Sequence, residues 1–167
     1  DFIFILALLF FMNYQRIYNQ RTFRMEAYYK KYEQLIKQVP IGYNYYAYNN
    51  SGNGYAKGID VFFRDKKTIK DFDYWISYSF IDTKRDYLNY PVRLQPNFVA
   101  RHTASVVTKK FFMDIKTGFN FTYSWASGRP YYNILAGGDN KFYIADEGKT
   151  KDFSSFNFSV NWVPSIG

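Results

Sequence analysis

The stretch KTGFNFTYSWASG, Lys116 to Gly128, sets the reading of the whole chain. With the two residues before it, it puts Ile115, Phe119, Phe121, Tyr123 and Trp125 on one side of an extended segment. Asp114, Lys116, Gly118, Asn120, Thr122 and Ser124 fall on the other. Successive side chains of a strand point to opposite faces, so one face here is large and aromatic and the other small, polar and in places charged. Such a strand is suited to stand between two different solvents.

The same alternation recurs along the chain. In DFDYWISYSFID, residues Phe72, Tyr74, Ile76, Tyr78 and Phe80 oppose Asp73, Ser77 and Ser79, with Trp75 and Ile81 as exceptions. In FNFSVNW, residues Phe156, Phe158, Val160 and Trp162 oppose Asn157, Ser159 and Asn161. In GIDVFFRD, residues Ile59, Val61 and Phe63 oppose Gly58, Asp60 and Arg64, with Phe62 in the polar register. No heptads and no sustained helical period appear, so the pattern predicts an all-β chain. The predicted strands are Thr22 to Ile36, Tyr55 to Asp65, Asp71 to Thr83, Arg101 to Lys110, Asp114 to Ala126 and Phe153 to Val163, with Phe2 to Gln15 as an atypical seventh.

The connections alternate in length. Arg16 to Arg21, Lys66 to Lys70 and Phe111 to Met113 are short, whereas Lys37 to Gly54, Lys84 to Ala100 and Ser127 to Asp152 are long. In an up-and-down meander this puts the tight turns on one rim and the long connections on the other.

Composition fits a chain of this kind. The 167 residues suffice for one domain, and 23% of them are aromatic, with 18 Tyr and 18 Phe; mean hydropathy is nevertheless -0.40. The aromatic residues are therefore interleaved with polar ones and not gathered into blocks. The absence of Cys excludes disulfides and thiolate metal sites. The net charge of +8 fits nucleic acid, anionic lipid or an acidic ligand as partner, or only a solvated surface, and the spread of Lys and Arg along the chain favours the last. The apolar opening DFIFILALLFFM is shorter than the roughly 20 residues of a spanning helix. Asp1 stands where a signal peptide would be basic. Residues 1–15 read as an atypical apolar strand or as sequence not native to the rest of the chain, and residues 16–167 as a partial barrel domain.

A soluble antiparallel sheet alternates too, but turns its apolar face onto a core. The predicted strands reach the roughly 9 to 11 residues that cross a bilayer at a tilt, and Tyr74, Tyr123 and Trp125 stand near strand ends, as in an interfacial girdle. The expected fold is an antiparallel, up-and-down transmembrane β-barrel segment. It is incomplete, because six or seven strands fall short of the roughly 8 of the smallest membrane barrels. NWVPSIG reads as ending in a periplasmic turn, so a chain truncated at both ends is expected.

The strings GYAKGIDVFFRDKKTIKDFDYWISYSFIDTKRDYLNYP, HTASVV and FNFTYSWASGRPYYN resemble the barrel of TonB-dependent outer-membrane receptors. The similarity runs from about Arg21 to Trp162. It implies a barrel of roughly 22 strands with a plugged lumen, the outer membrane of a Gram-negative bacterium, and uptake of a scarce small ligand. Its partners would be outer-membrane lipid and, through upstream parts, the TonB energy-coupling complex. The plug and TonB box of that family would lie upstream of this sequence.

Arg85, Tyr90, Arg93, Arg129, Tyr131 and Tyr132 combine cationic and aromatic groups on the long-connection rim and are the ligand-contact candidates. Asp60, Arg64, Lys116 and Asn120 are expected to line the polar lumen. His102 is the only histidine, which excludes a multi-His metal site and favours hydrogen bonding at a strand start. Asp82 and Asp86 read as a solvated loop base beside Lys84 and Arg85 and not as an acid/base pair. SGNG and AGGDN read as turns. No catalytic residue, metal ligand or cofactor is expected. The alternatives are a non-gated outer-membrane channel or enzyme barrel and, further off, a soluble basic β-domain binding nucleic acid. For the latter, KTGFNFTY faintly resembles an RNA-recognition strand, but Thr117 interrupts that motif.

Overall fold

The computed structural model describes residues 6–42 and 45–164, with side chains from residue 8 onward. Among them there is no helix. The strands are β1 (Leu6–Tyr18), β2 (Arg21–Gly42), β3 (Tyr45–Asp65), β4 (Phe72–Asp86), β5 (His102–Phe112), β6 (Thr117–Ala126), β7 (Pro130–Ala136), β8 (Phe142–Lys149) and β9 (Phe153–Trp162). Seven form one antiparallel sheet in the order β1-β2-β3-β4-β5-β6-β9, and β7 and β8 form a separate hairpin. The sheet is an up-and-down meander, as the alternation predicts. It is open: among the described residues no strand pairs with the outer edge of β1 or β9.

The register fixes which side chains share a face. Phe23, Phe63, Ile76, Val106, Tyr123 and Phe156 follow one another across strands β2 to β9. The row beside them on the opposite face runs Arg24, Phe62, Ser77, Ser105, Ser124 and Ser155. The period-two pattern therefore propagates through the ladder as one aromatic face and one polar face. Among the described residues no layer of protein lies on the aromatic face. Even on central strands Ile59 and Ile76 are 45% and 44% exposed, and on the edge strand Phe158 is 67% exposed. The buried apolar side chains among the described residues are Leu35, Pro40, Ala56, Tyr90 and Pro96. They lie at the long-connection end, where the β4–β5 connection is pinned to β2 and β4 by backbone bonds between Leu88 and Ile36, Leu88 and Gln38, and Leu94 and Arg85.

The turns explain the short rim. Asn19 and Gln20 join β1 to β2 with φ of 49° and 62°, as a two-residue turn matching strand twist requires. Asp65 closes the β3–β4 turn by accepting from the backbone N–H groups of Lys67 and Thr68, at 2.7 and 2.9 Å, and from Arg21 at 2.8 Å.

Several expected boundaries are corrected. The described residues of Lys37 to Gly54 are strand and not loop: β2 and β3 stay paired beyond the rest of the sheet, with register shifts after Tyr32, Leu35 and Pro40, and residues 43 and 44 lie outside the described residues. SGNG lies inside β3 and is not a turn. Its glycines serve close approach, since a Cβ on Gly52 would stand 2.7 Å from the Leu35 carbonyl oxygen. AGGDN does form the β7–β8 turn, within what was expected as one long loop. Asp114, Ile115 and Lys116 belong to the β5–β6 turn, where Lys116 has φ of 49°. The opening apolar run contributes β1, paired along its length with β2; Phe2 to Ile5 lie outside the described residues.

Gly58 stands directly opposite Tyr28, whose ring lies over it. A Cβ there would meet Tyr28 Cζ and the Phe80 carbonyl oxygen, each at 2.5 Å, and the carbonyl cannot move without breaking the ladder. Gly58→Val is therefore expected to cost roughly 1–3 kcal/mol through overpacking. A lowered urea midpoint for the purified variant, with Gly42→Val in open space as control, measures this.

Candidate functional site

The polar face and the long-connection rim above it carry the candidate residues. Along the sheet this face forms a groove of about 390 Å³ lined by Arg24, Asp60, Phe62, Ser77, Ser105 and Ser124, among others. Asp60 thus lies on the polar face as expected. Arg64 does too: its guanidinium donates to both carboxylate oxygens of Asp73, at 2.8 and 2.5 Å, and it stacks over Trp75 at 5.3 Å. Lys109 approaches the same Trp75 ring at 5.2 Å. Asn120 donates from Nδ2 to Ser159 Oγ at 3.1 Å and lines a second groove of about 530 Å³ nearer the short turns. Lys116 sits in the turn, outside the strands that line these grooves. A charge held in a groove is costly unless paired, and Arg64 with Asp73 meets that condition with two charge-assisted bonds.

At the long-connection rim, Arg85 is packed among aromatic rings. Its guanidinium lies 4.6 Å from the Tyr32 ring centroid, 6.0 Å from Tyr87 and 5.7 Å from Phe98. One terminal nitrogen donates to Tyr32 Oη at 3.4 Å, while its buried Nε has no hydrogen-bond partner. Tyr90 is buried edge-on against Tyr87, centroids 5.0 Å apart, and against Tyr132 at 5.9 Å. The Tyr90–Tyr132 contact joins the β4–β5 connection to the β7–β8 hairpin.

The other rim candidates are dispersed. Arg93 donates from its guanidinium to Asn53 of β3. Arg129 pairs through its backbone with Thr150 at the base of the hairpin. Tyr131, next to Tyr132 on β7, is 46% exposed and lies against Gly148. The rim therefore brings Arg85, Tyr90 and Tyr132 into one aromatic neighbourhood and leaves Arg93, Arg129 and Tyr131 outside it. Sequence reasoning missed Tyr32, Tyr87 and Phe98. Tyr32 and Phe98 are far from Arg85 in the chain, and only the fold-back of the β4–β5 connection brings them there.

His102 begins β5, its Nδ1 2.8 Å from Tyr78 Oη, and its backbone N–H donates to Ser127 Oγ at 3.1 Å. Asp82 accepts from Tyr55 Oη at 3.2 Å and pairs with Lys57 at 3.6 Å, whereas Asp86 pairs with Lys37. The two carboxylates thus serve separate cations. Among the described residues no cluster of three or more His, Asp or Glu side chains could hold a metal ion.

No known family model and no curated protein matches this chain.

Burial is the main reason the Tyr90 phenol is pushed up to about 12, with Tyr87 adding to it. Burial and then the Glu147 carboxylate raise Tyr132 as well. A phenol whose folded pKa exceeds its unfolded value of 10.0 stabilises the fold fully below pH 10. That contribution is lost as pH rises through 10 toward 12. The tyrosinate absorbance difference between the native chain and Tyr90→Phe is expected to be centred near pH 12 and not near 10.

Proposed function

We propose that the chain is part of an outer-membrane β-barrel of a Gram-negative bacterium, in a receptor for energy-coupled uptake of a small ligand. The observation that carries this reading is the uncovered aromatic face. A contiguous apolar surface spread over seven strands is far larger than soluble monomers tolerate, and its natural counterpart is hydrocarbon. On β4 the apolar band runs from Phe72 to Phe80. The eight steps between those residues, at about 3.4 Å each, give a rise of about 27 Å, before tilt shortens it. Among the described residues, charged pairs appear on this face only beyond the band. Lys57 with Asp82, and Lys31 with Glu33 at 2.6 Å, mark the long-connection end. Arg21 with Asp65 marks the other.

The transport part of the proposal rests on the rim. Its three long elements converge above the polar groove, whereas the opposite rim is made of short turns, an asymmetry suited to ligand capture on one side of a membrane. The partners in this reading are outer-membrane lipid, the TonB energy-coupling complex and a small ligand. The resemblance over Gly54 to Pro91 and His102 to Asn133 supports the energy-coupled class over a passive channel.

The chain contains no Cys, so single cysteines can be introduced into a clean background. With the protein in intact outer-membrane fragments, a water-soluble maleimide is expected to label Ser77→Cys and Asn157→Cys but not Ile76→Cys or Phe158→Cys. Recovery of the native protein in the soluble fraction, or equal labelling at all four positions, would overturn the proposal.

A further inference from the structure

Beyond the Arg85 neighbourhood, the three long elements border an open cavity of about 530 Å³ that takes in Gln38 of β2, Tyr46 of β3, Asn89 of the β4–β5 connection, Leu135 of β7, and Phe142 and Tyr143 of β8. We infer that this cavity binds an uncharged, polyhydroxylated ring ligand, a neutral oligosaccharide. The inference rests on the reading of this rim as the ligand-facing one and names the class of ligand it takes.

Three features carry it. The first is an aromatic shelf. Tyr46 and Phe142 stack nearly parallel, centroids 6.0 Å apart and planes 12° from each other, although they come from different hairpins. Tyr143 beside them is 49% exposed. Flat aromatic faces suit the apolar C–H face of a pyranose ring.

The second is a pair of amides. Gln38 and Asn89 line the cavity half-buried, and neither side chain has a hydrogen-bond partner among the described residues. An amide offers both donors and an acceptor, which matches vicinal hydroxyl groups that both donate and accept. Both amides remain open to solvent, so the hydroxyl groups of a ligand can reach them.

The third is the absence of net charge. No charged side chain lines the cavity. The two cations next in the chain to lining residues both have acidic partners, Lys37 with Asp86 and Lys141 with Asp139 at 3.9 Å. An anionic ligand would find no free counter-charge in this cavity. Its volume falls within the range usual for small-molecule sites.

The test uses the native protein purified from outer membranes in detergent, titrated calorimetrically with maltohexaose, cellohexaose, laminarihexaose and mannohexaose, and with an oligoglucuronate as the anionic counterpart. At least one neutral hexasaccharide is expected to bind, and Gln38→Ala and Asn89→Ala are each expected to weaken it about tenfold. Tyr46→Ala is expected to weaken it further. Tyr18→Ala, at the opposite rim, is expected to leave it unchanged. Binding of none of the four, preference for the oligoglucuronate, or undiminished binding by the Gln38→Ala, Asn89→Ala double variant would overturn the inference. Heat-dependent gel mobility, read on the same samples, reports the barrel independently. A protein that keeps its mobility shift but binds no neutral saccharide refutes the ligand class alone, whereas loss of the shift in the native protein counts against the barrel reading.

Discussion

An antiparallel sheet satisfies its backbone within itself but must still find a medium for each of its two faces. Here the seven-stranded sheet presents Phe, Tyr, Trp and Ile on one face, and nothing else among the described residues covers them. A helix layer or a second sheet would normally bury such a face; the hairpin β7–β8 goes to the rim instead, where Tyr132 meets Tyr90. The stability of the sheet must then come from cross-strand pairs, from turn bonds such as those of Asp65, and from whatever apolar medium meets the aromatic side.

The opposite face pairs its charges closely while leaving them partly exposed. Arg64 meets Asp73 in a two-pronged pair and stacks on Trp75, Arg24 lies 3.3 Å from Glu26, and serines face one another across β4 and β5 at 3.2 Å. Such an inner surface is wettable yet closely paired. In the proposed barrel it would line the lumen, with the aromatic cluster around Arg85 and Tyr90 closing over its upper end.

The two edges of the sheet bear on the same point. β1 offers 13 residues and β9 offers 10 with no partner on their outer side among the described residues. In water such edges invite association. In hydrocarbon each unpaired N–H and C=O costs several kcal/mol, so a membrane setting demands that further strands continue the ladder on both sides.

The sequence by itself determined the all-β class, the meander order of the main strands and the faces of the cleanly alternating ones, but not the β7–β8 hairpin. Period-two alternation is a local property, and antiparallel pairing of neighbours preserves it, so Asp60, Arg64 and Asn120 could be assigned to the polar face from spacing alone. It could not show that the described residues of Lys37 to Gly54 are strand, because Asn and Gly there are loop formers by propensity but serve close strand approach in the fold. Nor could it place Lys116 in a turn, since one residue of extra turn leaves the alternation on either side intact. Tertiary structure alone decided which rim residues meet: Arg85 with Tyr32 and Phe98, Tyr90 with Tyr132, and Tyr46 with Phe142. Those contacts join segments far apart in the chain through irregular connections, where no repeating geometry carries positional information from one residue to the next.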